Sequence, residues 1–233
     1  MAVASGPGGG TFGGVPSVAA IPEPEKPRLR GVIHQYAFFV ALVLGACLVA
    51  LAPDGEPRLA AAIYAASVAG LLGTSALYHR RNWTVRARMW MRRLDHSMIF
   101  VLIAGTYTPF ALLVLHGTLA STILIVVWAG AFGGSLLNLF WVRAPKAVTA
   151  GVYIALGWVA VAAMPQMASE MGAVGVGLVA LGGVLYTSGA VIYAINRPNP
   201  VPGVFGYHEV FHALVVAAAA AHFAAVAAYA LPR

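Results

Sequence analysis

Residues 32–52 read VIHQYAFFVALVLGACLVALA. The run contains no Lys, Arg, Asp or Glu, and as an α-helix it would be about 31 Å long, the thickness of a bilayer's hydrocarbon core. Six further runs of the same kind follow, at about 59–79, 94–115, 119–140, 147–165, 174–195 and 207–230. They are continuous and rich in Ala, Leu and Val. A membrane β-barrel would instead show shorter strands of alternating polarity. The expected fold is therefore an all-α membrane protein, a bundle of seven transmembrane helices joined by short connections. Composition agrees: 61% of the 233 residues are apolar and 9% charged, against about 45–50% and about 25% in soluble domains. A soluble chain of this length could not hide that much apolar surface.

Residues 1–30 differ from the rest. They are rich in Gly and Pro, including Pro7, Pro16, Pro22, Pro24 and Pro27, and hold no apolar run long enough for a signal-peptide core. They read as a disordered tail before a transmembrane domain at 31–233, which would insert through its first span. The net charge of +7 comes from few residues placed between the apolar runs. Lys26, Arg28 and Arg30 precede span 1; Arg80, Arg81, Arg86, Arg88, Arg92 and Arg93 separate spans 2 and 3; Arg143, Lys146 and Arg197 lie on the same side. Twelve of the 14 Lys and Arg thus face one way, and only Arg58 and Arg233 the other. The positive-inside rule then predicts a cytoplasmic N-terminus and an external C-terminus, in a multi-pass protein of a cell membrane, the plasma or inner membrane of a bacterium. Such a charge pattern orients a membrane protein and gives no nucleic-acid surface; membrane lipids are the expected partners. The single cysteine, Cys47, lies in an apolar run, so no intrachain disulfide or cysteine-based zinc site is available.

Ionisable residues within spans are costly and are functional candidates by default. His79 ends span 2, Asp95 and His96 begin span 3, and His208, Glu209 and His212 begin span 7, so all fall at the cytoplasmic ends of their helices. His208 and His212 are four residues apart and share a helical face, which suits two ligands of one tetrahedral metal. Ser75 and His79 have the same spacing. Three histidines with an open fourth position are the usual layout of a catalytic zinc, which lowers the pKa of a bound water to about 7. Asp95 could hold or deprotonate such a water.

Plainer readings exist for each residue. A helix-end histidine can sit at the headgroups, Asp95 can pair with Arg92 or Arg93 one turn earlier, and Ser75 can bond a carbonyl of its own helix. His34, His116 and His222 have no partner one turn away and read as packing or solvated residues, and His96 as structural. His208-Glu209-Val210-Phe211-His212 also matches HExxH, in which the Glu is the general base of a zinc protease. No Asp or Glu follows His212, so a third ligand has to come from upstream, where His79 is best placed. Gly130, Gly133 and Gly134, and later Gly175, Gly177, Gly182 and Gly183, would permit close helix contact. The basic segment 80–93, with Trp83 and Trp90, reads as an amphipathic loop on anionic lipid.

Ser75-Ala76-Leu77-Tyr78-His79, Asp95-His96 followed by Gly105-Thr106-Tyr107-Thr108-Pro109, and the span-7 HxxxH resemble, in order, the motifs of the hemolysin III branch of the progestin and adipoQ receptor family. The resemblance covers residues 30–230. It implies a Zn2+ site near the cytoplasmic surface, with His79, His208 and His212 as ligands and Asp95 and Ser75 holding the water at the metal. It also implies a lipid amide or ester hydrolase of ceramidase-like activity, linked to membrane-lipid homeostasis. The alternatives are a non-enzymatic lipid sensor with structural zinc, a hemolysin-like cytolysin, and an intramembrane metalloprotease.

Overall fold

The structure is a computed structural model and describes residues 27–141 and 145–231. Among these residues the regular secondary structure is helical, apart from an isolated bridge between Val201 and Phe205. The helices are α1 (Val32–Leu51), α2 (Glu56–Arg80), α3 (Val85–Leu113), α4 (Gly117–Phe140), α5 (Lys146–Gly157), α6 (Met164–Ile195) and α7 (Tyr207–Ala225). A 3-10 stretch, Trp158–Ala163, joins α5 to α6, and a π turn, Val226–Ala230, extends α7. The tail reading of the sequence falls at residues 1–26 outside the described residues. Its last four residues do not follow it: Arg28 and Leu29 donate backbone hydrogen bonds to the carbonyls of Gly203 and Val204, at 3.0 and 3.2 Å.

Among the described residues six helical segments are long and apolar enough to cross a membrane, which corrects the expected seven. The difference lies between Lys146 and Ile195. Alone, α5 has 12 residues and reaches about 18 Å, short of a bilayer core. It passes through the 3-10 stretch into α6 without a loop, so the expected spans 147–165 and 174–195 become one helical segment of 50 residues. That segment is not straight. Gly172 leaves helical geometry at φ 69° and ψ 179°, a conformation open to glycine because it has no Cβ. Lys146 Nζ donates to Asn196 Oδ1 at 2.6 Å, so the two ends of the segment meet.

Inside a membrane a broken helical ladder needs substitute partners. Tyr107 of α3 supplies them at the 3-10 stretch. Its hydroxyl donates to the Gly157 carbonyl at 2.5 Å and accepts from the Ala160 N–H at 2.7 Å. A turn on the other rim is closed in a similar way by Arg58, which donates to the Ala52 carbonyl at 2.9 Å and pairs with Asp54.

α3 begins at Val85 and absorbs most of the segment read as a loop at 80–93. Thr84 caps it by accepting from the Ala87 N–H at 3.3 Å, and the Arg and Met residues that follow are good helix formers. The outward faces are apolar, as lipid requires: in α1, Tyr36, Phe39, Val43 and Leu51 are exposed while His34, Gly45 and Leu48 turn inward. The core packs Tyr64 of α2, Phe100 and Ala104 of α3, Val127 of α4 and Ala225 of α7. Of the glycines expected at contacts, Gly134 receives the Phe100 ring and Gly182 the His222 ring, whereas Gly133, Gly177 and Gly183 face open space.

One end of the bundle gathers the N-terminal turn, the end of α2, the starts of α3, α5 and α7, and the loop after α6. The cross-links there include Arg80 Nε to Gln35 Oε1 at 3.1 Å and Lys146 Nζ to the Tyr207 hydroxyl at 3.1 Å. Removing the hydroxyl that bridges the 3-10 stretch should be felt in stability. Tyr107→Phe is expected to cost about 1–3 kcal/mol, seen as a lower Tm of the detergent-purified protein, and an unchanged Tm would refute the bridging role.

Candidate metal centre

The last two turns of α2 carry Ser75 and His79, the third turn of α3 ends at Asp95, and the first turns of α7 carry His208 and His212. His79, His208 and His212 each offer a ring nitrogen, and the three nitrogens lie within 4.8 Å of one another. The Nε2 atoms of His79 and His208 are 3.2 Å apart. In a tetrahedral site with metal–nitrogen bonds of about 2.0–2.1 Å, two ligand nitrogens are about 3.3 Å apart. This donor set therefore fits a metal ion, and neutral imidazoles suit zinc among the available metals.

Asp95 lies beside the three histidines. One of its carboxylate oxygens is 3.8 Å from His79 Nε2, its side chain is 14% exposed, and it lines the same cavity as the buried Ser75. The alternative partner, Arg93, lies over the Trp90 ring at 4.4 Å. His96 lies next to Asp95, its Nδ1 4.0 Å from a carboxylate oxygen, and its ring is held by other partners: Nδ1 is 2.7 Å from the Arg92 carbonyl oxygen and Nε2 is 3.1 Å from the Tyr193 hydroxyl.

Glu209, the acid of the HExxH match, is otherwise engaged. It is 1% exposed, one oxygen meets Arg30 Nε at 2.5 Å, and the other accepts the Gly206 N–H at 2.8 Å, capping α7. Both oxygens are taken, so the residue anchors the helix and does not present a base to the histidines.

Two residues near the site carry no local sequence signal. His34 of α1, read from the sequence as a packing or solvated residue, is 2% exposed, and its ring stacks on that of His212 with centroids 3.7 Å apart and planes at 5°. Neither of its ring nitrogens has a hydrogen-bond partner among the described residues. Arg30, read only as a topology-setting charge, holds Glu209. Each partner sits more than a hundred residues away, so nothing at helical spacing marks either contact. His116 stays on the opposite rim, 3.8 Å from Glu170.

His208 and His212 open onto a cavity of about 230 Å³. Asp95, Ser75, His208 and His212 line one part of it, and side chains such as Leu102, Met167 and Val215 the rest. An apolar cavity with a few convergent polar groups is the usual form of a small-molecule site.

The family model described as haemolysin-III related matches residues 23–223. The chain is 38% identical to the hemolysin-3 homolog of Bacillus subtilis (strain 168) over 136 residues, 58% of this chain and 61% of that one. It is 37% identical to hemolysin-3 of Bacillus cereus over 139 residues, 60% of this chain and 61% of that one. The chain thus spans less than two thirds of the length of either bacterial relative. Over 203 residues it is 26% identical to the human monocyte to macrophage differentiation factor, covering 84% of this chain and 81% of that one.

Metal analysis of the purified protein checks the donor set. Wild type is expected to hold one divalent ion per chain, and His79→Ala, His208→Ala and His212→Ala each to lose it. Glu209→Gln should keep the metal while lowering stability by about 3 kcal/mol, because it leaves Arg30 without its ion-pair partner. Metal lost from Glu209→Gln and kept by the histidine variants would reverse the assignment.

Proposed function

The chain belongs to the haemolysin-III related family of multi-pass membrane proteins, the hemolysin III branch of the progestin and adipoQ receptors, and on that premise we propose that it is a zinc-dependent hydrolase of lipid amides or esters. The observation that carries this reading is the convergence of three imidazoles, Ser75 and Asp95 at the mouth of an apolar cavity. The basic residues gathered at that end, among them Arg30, Arg80, Arg92 and Lys146, support its assignment to the cytoplasmic face of the plasma membrane, with the N-terminus inside.

His79, His208 and His212 would hold the zinc. When bound, zinc would polarise the lipid carbonyl and make water more acidic beside it. Asp95 takes the proton of the attacking water as its oxygen bonds to the carbonyl carbon, and returns that proton to the departing nitrogen or oxygen. A fatty acid and an amine or alcohol result. Ser75 would donate to the Asp95 carboxylate and so fix the oxygen that faces the water. His34, stacked on His212, holds that ring in one orientation. The cavity keeps the acyl chain out of water while the polar head stays at the membrane surface.

A second reading is a non-enzymatic sensor of membrane lipids with structural zinc. It is favoured by the origin of the ligands: His79 comes from α2 and the other two from α7, so a metal would staple helices that pack chiefly on other neighbours. Asp95→Asn separates the two. For a hydrolase it should keep metal and Tm while lowering turnover of ceramide or a comparable N-acyl lipid by about 100-fold or more. For a sensor, wild type and variant should show no turnover alike, and the lipid response should survive the substitution.

A further inference from the structure

The cavity has a second polar part, set apart from the histidine cluster. His222 of α7 is 8% exposed, and its Nε2 lies 3.1 Å from the Val179 carbonyl oxygen. A carbonyl oxygen only accepts, so Nε2 carries the proton and Nδ1 of the neutral ring is an acceptor. Among the described residues Nδ1 has no partner, and neither has the buried hydroxyl of Tyr186. The two rings lie 5.5 Å apart, centroid to centroid, at 54°. Both residues line the same cavity as Asp95, His208 and His212. The place for the imidazole is built into the fold, because a Cβ at Gly182 would strike its ring.

A donor and an acceptor buried without partners inside a membrane span are unfavourable, and polar groups there are functional candidates. One chemical group answers both. An alcohol hydroxyl accepts from the Tyr186 O–H and donates to His222 Nδ1 through a single oxygen. A carbonyl or carboxylate would satisfy Tyr186 and set lone pairs against Nδ1, and a methylene would satisfy neither.

We infer that Tyr186 and His222 form a subsite for a hydroxyl group on the chain of the bound lipid, so that the cavity selects a hydroxylated acyl chain. The inference rests on the proposed lipid-binding role, with the carbonyl end of the lipid at the histidine cluster. His212 and His222 are ten residues apart on α7, about 15 Å along its axis, which an extended chain of about a dozen carbons spans.

Binding of 12-hydroxystearate, 2-hydroxystearate and stearate to the full-length, metal-loaded protein in detergent, measured by competition against a fluorescent fatty acid, tests the subsite. Wild type should bind 12-hydroxystearate about tenfold more tightly than stearate, a preference on the scale of one or two net hydrogen bonds. It should show no such preference for 2-hydroxystearate, whose hydroxyl is at the head. Tyr186→Phe, which removes a single oxygen, and His222→Phe should each erase the preference while keeping the affinity for stearate. Equal binding of 12-hydroxystearate and stearate to wild type overturns the subsite alone, as does a preference that survives both substitutions; the pair then bonds to itself or to a buried water. Failure of all three fatty acids to bind overturns the subsite and the lipid reading together.

Discussion

The buried pair between Arg30 and Glu209 holds together the end of the molecule where the polar residues meet. A carboxylate that is 1% exposed needs partners for both oxygens. Arg30 fills one place and the Gly206 N–H the other, at 2.5 and 2.8 Å. The two bonds together fix where α7 begins and which way its first turn faces. With that turn fixed, His208 and His212 project toward His79, and His34 stacks on His212. The same pair ties the turn before α1 to α7, and the backbone bonds of Arg28 and Leu29 to Gly203 and Val204 continue the join. The Glu of the HExxH match is thus structurally essential for a reason different from the one its motif suggests.

A second constraint is that hydrocarbon offers no hydrogen bonds. The bundle meets it by pairing polar groups locally: Tyr107 bridges the 3-10 stretch, the Thr108 hydroxyl donates to the Ala104 carbonyl at 2.9 Å, and Tyr153 donates to the His96 carbonyl at 3.0 Å. Against this background the cavity is distinctive. Its walls are mainly apolar, yet it holds polar groups at the histidine cluster and again at Tyr186 and His222. A bilayer lipid has the same distribution, with a polar head at the surface and a long chain in the hydrocarbon layer. The separation along α7 between His212 and His222 gives that match a length as well as a polarity.

Much of the site was legible in the sequence because polar residues are rare in the spans. Basic residues between the apolar runs suggested one orientation, and that orientation put His79, Asp95, His208 and His212 at a shared depth. The spacing of His208 and His212 added a shared face. His34 and Arg30 escaped because their partners are on α7, far along the chain, and no local periodicity reports such a contact. His222 escaped for the same reason: its meaning depends on Tyr186 and on the Val179 carbonyl, both from α6. The span count differs between Lys146 and Ile195, where hydropathy shows two apolar stretches but cannot show that they join at Gly172 with no loop between them.

The sequence by itself determined the all-helical membrane class, the family resemblance and the candidate residues, since long uncharged runs and a handful of ionisable residues have few other uses in a chain of this length. Tertiary structure alone decided which nitrogens come within reach of one ion, that Glu209 belongs to Arg30, and that the helical segment after α4 turns back at Gly172 so that its ends meet. Those outcomes depend on distances between residues remote in the chain. They are set by how helices pack and by which buried polar atoms find partners, and composition and spacing carry neither.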